Sequence, residues 1–233
     1  MIRCLFLVEG PYDKQRLSVL EELFDSSKIE ILPFGTDMLA EQDYYKNYKK
    51  EIKAILSKEK TFVLEDFDYI IQVCDLDGCF INDDYIIENK NIKKIQYHKD
   101  YVEAISRESI ITRNHIKREN IDRLLESKSI QLYYNSTNID HVFDNIQNPT
   151  DKQKRICAIN MYNKYKNNPT AFLTELFNLN RIKASSFETS WNFVKIGFNS
   201  LQPCTNLILF VEYFKDCLKE KILKEYIKLK QTF

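Results

Sequence analysis

Two strand-sized apolar runs constrain this chain most, because each breaks off at an acidic residue with a glycine close behind. Residues 3–8 read RCLFLV and lead into Glu9-Gly10-Pro11-Tyr12-Asp13. Residues 69–74 read YIIQVC and lead into Asp75-Leu76-Asp77-Gly78. A run that is apolar at nearly every position, not at every second one, is buried on both faces, as in an inner strand of a parallel sheet. Residues 29–34 and 130–134 read as further strands, and 94–97 as a short one. Between the runs the spacing changes to that of helices. Leu17, Leu20, Leu23 and Phe24 share one helical face, and residues 41–58 place Tyr45, Tyr48, Ile52, Ile55 and Leu56 on another. Residues 114–126 read as a basic amphipathic helix, and a loop or short helix runs through Asp83 and Asp84.

Strand and helix thus alternate over residues 1–135, which predicts an α/β fold: a mostly parallel sheet flanked by helices. After Asn148-Pro149-Thr150 the pattern becomes helical, over 150–166, 169–179, 186–199 and 205–230, with no strand pattern. The expected division is an α/β catalytic domain over 1–147 and a helical C-terminal region over 148–233. Aromatic residues at helical spacing in that region (Phe172, Phe177, Trp191, Phe210 and Phe214 among them) read as core.

Composition narrows the function classes. Lys+Arg and Asp+Glu are 34 each, so any basic surface for nucleic acid must be local. Six scattered cysteines, with no C-x-x-C pair, argue against a structural zinc site and a disulfide framework. No apolar run approaches the roughly 20 residues that span a bilayer, and the first is only strand-sized. The expectation is a cytoplasmic protein without membrane contact.

In open α/β sheets, functional groups gather at the carboxyl ends of strands. If the two acid-tipped strands are neighbours, Glu9, Asp13, Asp75 and Asp77 converge. Converging carboxylates repel, and a hard cation with oxygen ligands resolves the conflict. Only four glycines occur, so Gly10 and Gly78 are informative; a missing Cβ would let a phosphate or a metal shell approach the backbone.

LFLVEGPYD followed at this distance by YIIQVCDLDG resembles the Toprim domain, a hydrophobic strand ending in E-G-x-x-D and a later one ending in D-x-D. That domain is shared by bacterial primases, type IA and type II topoisomerases, overcoming-lysogenization-defect nucleases and small ribosomal-RNA maturases. The resemblance covers roughly residues 1–135 and implies a Mg²⁺ (or Mn²⁺) site. By this resemblance Glu9, Asp75 and Asp77 are metal ligands, Glu9 is alternatively a general acid/base, and Asp13 supports a second metal. The chain is too short for a topoisomerase and lacks primase partner domains. The resemblance therefore implies a stand-alone endonuclease cutting DNA or RNA. It also suggests the effector of an anti-phage defence system, often beside an ATPase subunit, with a homo-oligomer as a further expectation.

A rival resemblance is to haloacid-dehalogenase phosphatases, whose strand–DxDG signature is similar to YIIQVCDLDGCFI. There the first Asp is the nucleophile and the second the acid/base. Cys79 stands where that family has Thr, the motif is mid-chain, and Glu9-Gly10 is left without a role. A non-catalytic subunit of a defence complex is the third reading.

Around the carboxylates, Lys14, Arg16, Arg113, Lys117 and Arg118 are candidates for nucleic-acid phosphate contacts, within a basic stretch that also holds Arg107, His115 and Arg123. Asn135, Asp140 and His141 follow the 130–134 run and are candidates for accessory roles. The alternative for that turn is a helix cap by Ser136, Thr137 or Asn138.

Overall fold

In the computed structural model, which describes residues 1–36, 38–180 and 186–232, the first apolar run is β1 (Ile2–Val8) and its last five residues are buried. Alternate side chains go to opposite faces of the strand. Cys4, Phe6 and Val8 enter one hydrophobic cluster, and Leu5 and Leu7 enter another. That division explains why the sequence run is continuous: both faces are covered.

β1 lies between β2 (Ile29–Gly35) and β3 (Tyr69–Asp75), and β7 (Gln131–Asn135) closes the far side. All three pairings are parallel, in the order β2-β1-β3-β7. The chain first adds a strand on one side of β1 and then crosses to the other. The switch point therefore falls between the carboxyl ends of β1 and β3, where such sheets form a crevice.

One face carries α2 (Tyr44–Glu59), α3 (Arg107–Ser127) and α7 (Phe187–Val194). The other carries α1 (Pro11–Leu17), the 3₁₀ turn Ser18–Leu23, α5 (Asp151–Lys166), α6 (Pro169–Leu179), α8 (Leu207–Tyr213) and α9 (Glu220–Thr232). Pro11 opens α1, where its missing N–H costs nothing. Phe210 packs edge-on to Phe6, Phe24 and Tyr133, joining the C-terminal helices to the sheet. Phe172, Trp191, Phe210 and Phe214 are buried, in line with the core reading; Phe187 and Tyr213, expected in the same core, are exposed.

Several expected boundaries shift. The helix expected over 114–126 begins at Arg107, where the Ser106 side chain accepts the Ser109 N–H. The expected 186–199 helix stops at Val194, and the expected 205–230 helix is broken between Tyr213 and Glu220. The second break has a tertiary cause. Asp25 N–H donates to the Cys217 carbonyl and Lys219 N–H to that of Leu23, so the α-helix gives way to a 3₁₀ turn, Lys215–Cys217, and an extended stretch paired with the end of the first 3₁₀ turn.

A second sheet escaped the sequence reading apart from its strand at 96–97. β4 (Ile86–Glu88) pairs parallel with β6 (Val102–Ala104), and β5 (Gln96–Tyr97) pairs antiparallel with β6. It covers a small core of Ile81, Ile86, Val102, Ala104, Ile110 and Leu201 and brings Tyr97 toward the main sheet. Among the described residues no helix is long and apolar enough to cross a membrane.

Candidate functional site

Glu9 follows β1 directly, and Asp75 is the last residue of β3. Glu9 Oε1 accepts the backbone N–H of Asp75 at 3.0 Å, so the two acid-tipped strands meet as neighbours. Asp75 pairs in register with Asn135 at the end of β7, and Asn135 Nδ2 donates to Asp75 Oδ1 at 3.2 Å. Beyond the strands the ladder continues, with Leu76 N–H donating to the Asn135 carbonyl and Asp77 N–H to that of Thr137. These bonds turn the chain so sharply that Asp77 and Gly78 both have positive φ, 52° and 66°.

The Asp77 carboxylate has partners of its own. Asp77 Oδ1 accepts from the Tyr97 hydroxyl at 3.0 Å and Oδ2 from Lys117 Nζ at 3.0 Å. Lys117 also donates to Glu9 Oε1 at 3.2 Å. Its side chain is only 1% exposed, and it stands between the two carboxylates. Arg113, one turn earlier on α3, donates to the Asp77 carbonyl at 3.3 Å and to Asn114 Oδ1 at 3.0 Å.

The electrostatics follow from these partners. Burial pushes the Asp75 carboxyl well above the usual range, and Glu9, Asp13 and Asp77 push it further. Burial also raises Asp77, but Lys117 and Arg113 outweigh it and leave the group below its ordinary value. Burial pulls the Lys117 ammonium down, while Asp77 and Glu9 more than restore it, so the lysine is held charged. Negative charge at Asp77 is thus offset by bonded cations, whereas at Asp75 burial and the neighbouring carboxylates outweigh the pull of Lys117.

Asp13 lies on α1 beside Gly10. A Cβ on Gly10 would sit 3.3 Å from the Asp13 carboxylate, so this glycine makes room for Asp13. Burial raises the Asp13 carboxyl to about 6, against the pull of Lys154 and with the push of Asp140. Gly78 has a different purpose from the one expected. Its Cβ would fall 2.6 Å from Leu201 Cδ2, so it serves left-handed backbone and packing rather than access for a phosphate.

Two expected phosphate contacts are not on a basic surface. Arg16 is fully buried, with its guanidinium on Asp140 at 2.5 Å and Asp144 at 2.6 Å. Lys117 belongs to the carboxylate cluster itself. Arg118 is half-buried and pairs with Asp83 at 3.1 Å, as does the ring of His115 at 2.8 Å. Lys14 is exposed and lies over the Phe34 ring.

Of the accessory candidates, Asn135 is at the site. Asp140 is Arg16's partner and has a structural role. His141 is buried; its ring meets Thr137 Oγ1 at 3.2 Å, and its N–H donates to Asn138, the cap of α4 (Ile139–Asp144). The capping alternative therefore holds for that turn.

Sequence reasoning missed Tyr97, which no local pattern links to Asp77. It found Lys117 but not its place. The i, i+4 spacing of Arg113 and Lys117 was the available signal, because it sets both on one helix face.

Among the described residues, one set of three acidic or thiol groups has its ligand atoms all within 4.8 Å of one another: Asp140, Asp144 and Cys157. Arg16 already neutralises both of those carboxylates. Glu9, Asp75 and Asp77 are not such a set, since Asp77 is drawn off by Lys117 and Tyr97. No protein-family model, curated protein or solved structure matches the chain.

Proposed function

We propose that the chain is a Mg²⁺-dependent endonuclease of the Toprim type, acting on DNA or RNA at the crevice between β1 and β3. The observation that carries this reading is the meeting of Glu9 and Asp75 at the sheet's switch point, beside the unpartnered Asn135 Oδ1.

The residues present fit a hard divalent cation. The donors are all oxygens, as Mg²⁺ requires. Asn135 is 2% exposed, and its Oδ1 is buried with no hydrogen-bond partner beside Asp75, an orphaned acceptor that a cation would satisfy. Glu9, Asp75 and Asn135 would hold the ion, with Asp13 nearby. A bound divalent cation supplies polarisation of a phosphate oxygen and a water of lowered pKa.

The chain's own residues set the rest of the stage. Glu9 ties the ends of two strands and fixes the position of Asp75. Tyr97, Arg113 and Lys117 lock Asp77 in place beside the crevice. Lys14, exposed on the first turns of α1, is positioned to meet a nucleic-acid backbone. A defence role beside an ATPase follows from the resemblance and is tested by co-purification with such a subunit.

The direct test is cleavage of plasmid, single-stranded DNA and tRNA with Mg²⁺ or Mn²⁺, comparing wild type with Glu9→Ala and Asp75→Ala. Cleavage by wild type, lost in both variants, supports the reading. Equal cutting by all three sinks the site. Hydrolysis of small phosphomonoesters without cleavage of any nucleic acid would replace the reading with the phosphatase one.

A further inference from the structure

We infer that Lys117 stands in for a cation between Glu9 and Asp77, so that the chain holds a single divalent ion, on Glu9, Asp75 and Asn135, with Asp77 outside its ligand set. The inference rests on the metal reading above and deepens it.

Three observations carry it. First, both Asp77 carboxylate oxygens already accept hydrogen bonds, Oδ1 from Tyr97 and Oδ2 from Lys117. The Asp77 carboxylate thus has a cation and a hydroxyl on its two oxygens, whereas Asp75, among the described residues, has only the Asn135 amide. Second, the Lys117 ammonium lies 3.0 Å from Asp77 and 3.2 Å from Glu9, with its side chain 1% exposed. A buried ammonium bridging two carboxylates supplies the compensating charge that a second ion would bring. Third, Asn135 Oδ1 is a buried acceptor without a partner, and the Asn135 amide is bonded to Asp75, not Asp77. The unmet demand for a cation lies on the β3–β7 side, while the Asp77 side is already satisfied.

Lysine suits the substitution. Its charge is a compact point at the end of a flexible stem, whereas the planar fork of arginine would need both carboxylates in its own plane. α3 delivers it rigidly: Lys117 lies in the middle of Arg107–Ser127, and Asn114 and Ile121, on the same side, are also buried.

The test is Mn²⁺ binding to the full chain by titration calorimetry, with circular dichroism as the check on folding. Wild type is expected to bind one ion per chain. Asp77→Asn should retain that ion with affinity changed less than about threefold, and Asp75→Asn should weaken it at least about tenfold, the low end for losing even an outer partner of a metal site. Lys117→Met leaves Glu9 and Asp77 facing each other uncompensated. It should bind a second Mn²⁺, and its thermal midpoint should rise more with added Mn²⁺ than that of wild type. Two ions bound by wild type, or loss of the ion in Asp77→Asn, would overturn the inference while leaving the metal reading intact. No Mn²⁺ binding by wild type would overturn both. The wild-type stoichiometry and the Asp77→Asn result do not depend on whether Lys117→Met folds.

Discussion

Glu9 Oε1 accepts the backbone N–H of Asp75 at 3.0 Å, so a side chain at the end of one strand finishes the backbone hydrogen bonding of its neighbour. The bond places Glu9 by the same geometry that pairs the strands. Glu9→Gln keeps an acceptor at this position but removes the charge that faces Asp75 and Lys117. The expected outcome is a variant with an unchanged circular dichroism spectrum and nuclease activity lower by about a hundredfold or more, the scale of a lost charged group at a reacting centre. Wild-type cleavage by this variant would remove Glu9 from the chemistry.

Arg16 should behave as a structural residue and not as a phosphate contact. Its side chain is 0% exposed, and that of Asp140 is 3% exposed. Removing one member of a buried pair leaves an uncompensated charge, at a cost of about 3–5 kcal/mol. Arg16→Ala is therefore expected to lower the urea midpoint strongly, whereas Lys14→Ala, at an exposed position, should stay within about 0.5 kcal/mol of wild type. Similar midpoints for the two variants would contradict the buried pairing.

Gly78 and Gly197 offer a paired comparison. Both have positive φ, 66° and 56°, but a Cβ on Gly78 meets Leu201 at 2.6 Å and one on Gly197 meets nothing within 4 Å. Gly197→Ala should cost about 1–2 kcal/mol, the backbone penalty alone. Gly78→Ala carries the same penalty plus displacement of the fully buried Leu201, so its loss of stability should be the larger. Thermal denaturation of both variants checks the order.

Asp13 has a folded-state pKa of about 6, raised first by burial, above its ordinary value of 3.8. The protonated form is the one the fold prefers. Its contribution to stability is complete below the unfolded value and is lost as pH rises through the folded one. Asp13→Asn removes this dependence, so the variant should gain on wild type as the pH is raised from about 4 to about 7. A stability difference that stays constant across that range would show that Asp13 is not perturbed.

The four main strands were legible because parallel strands buried on both faces leave unbroken apolar runs, and RCLFLV and YIIQVC are such runs. The carboxylates were legible because an acidic residue at the end of such a run marks the sheet's functional edge. β4 and β6 were not legible: three residues each, IIE and VEA, are too short to show a period. The split between α8 and α9 was hidden too, because it comes from backbone bonds to residues 23–25 and not from any helix-breaking residue in the gap.

What the sequence by itself determined is the set of chemical groups and their strand-end positions, Glu9 after β1 and Asp75 and Asp77 at the end of β3. Only the tertiary structure decided how their charges are shared. Lys117 is 108 residues from Glu9 and 40 from Asp77, and Arg16 is 124 from Asp140. Apolar patterning is a local property that a strand or helix imposes on consecutive residues. The partner of a buried charge is chosen by which elements pack together, and packing alone set Lys117 against Asp77 while giving Asp75 no cation of its own to bond.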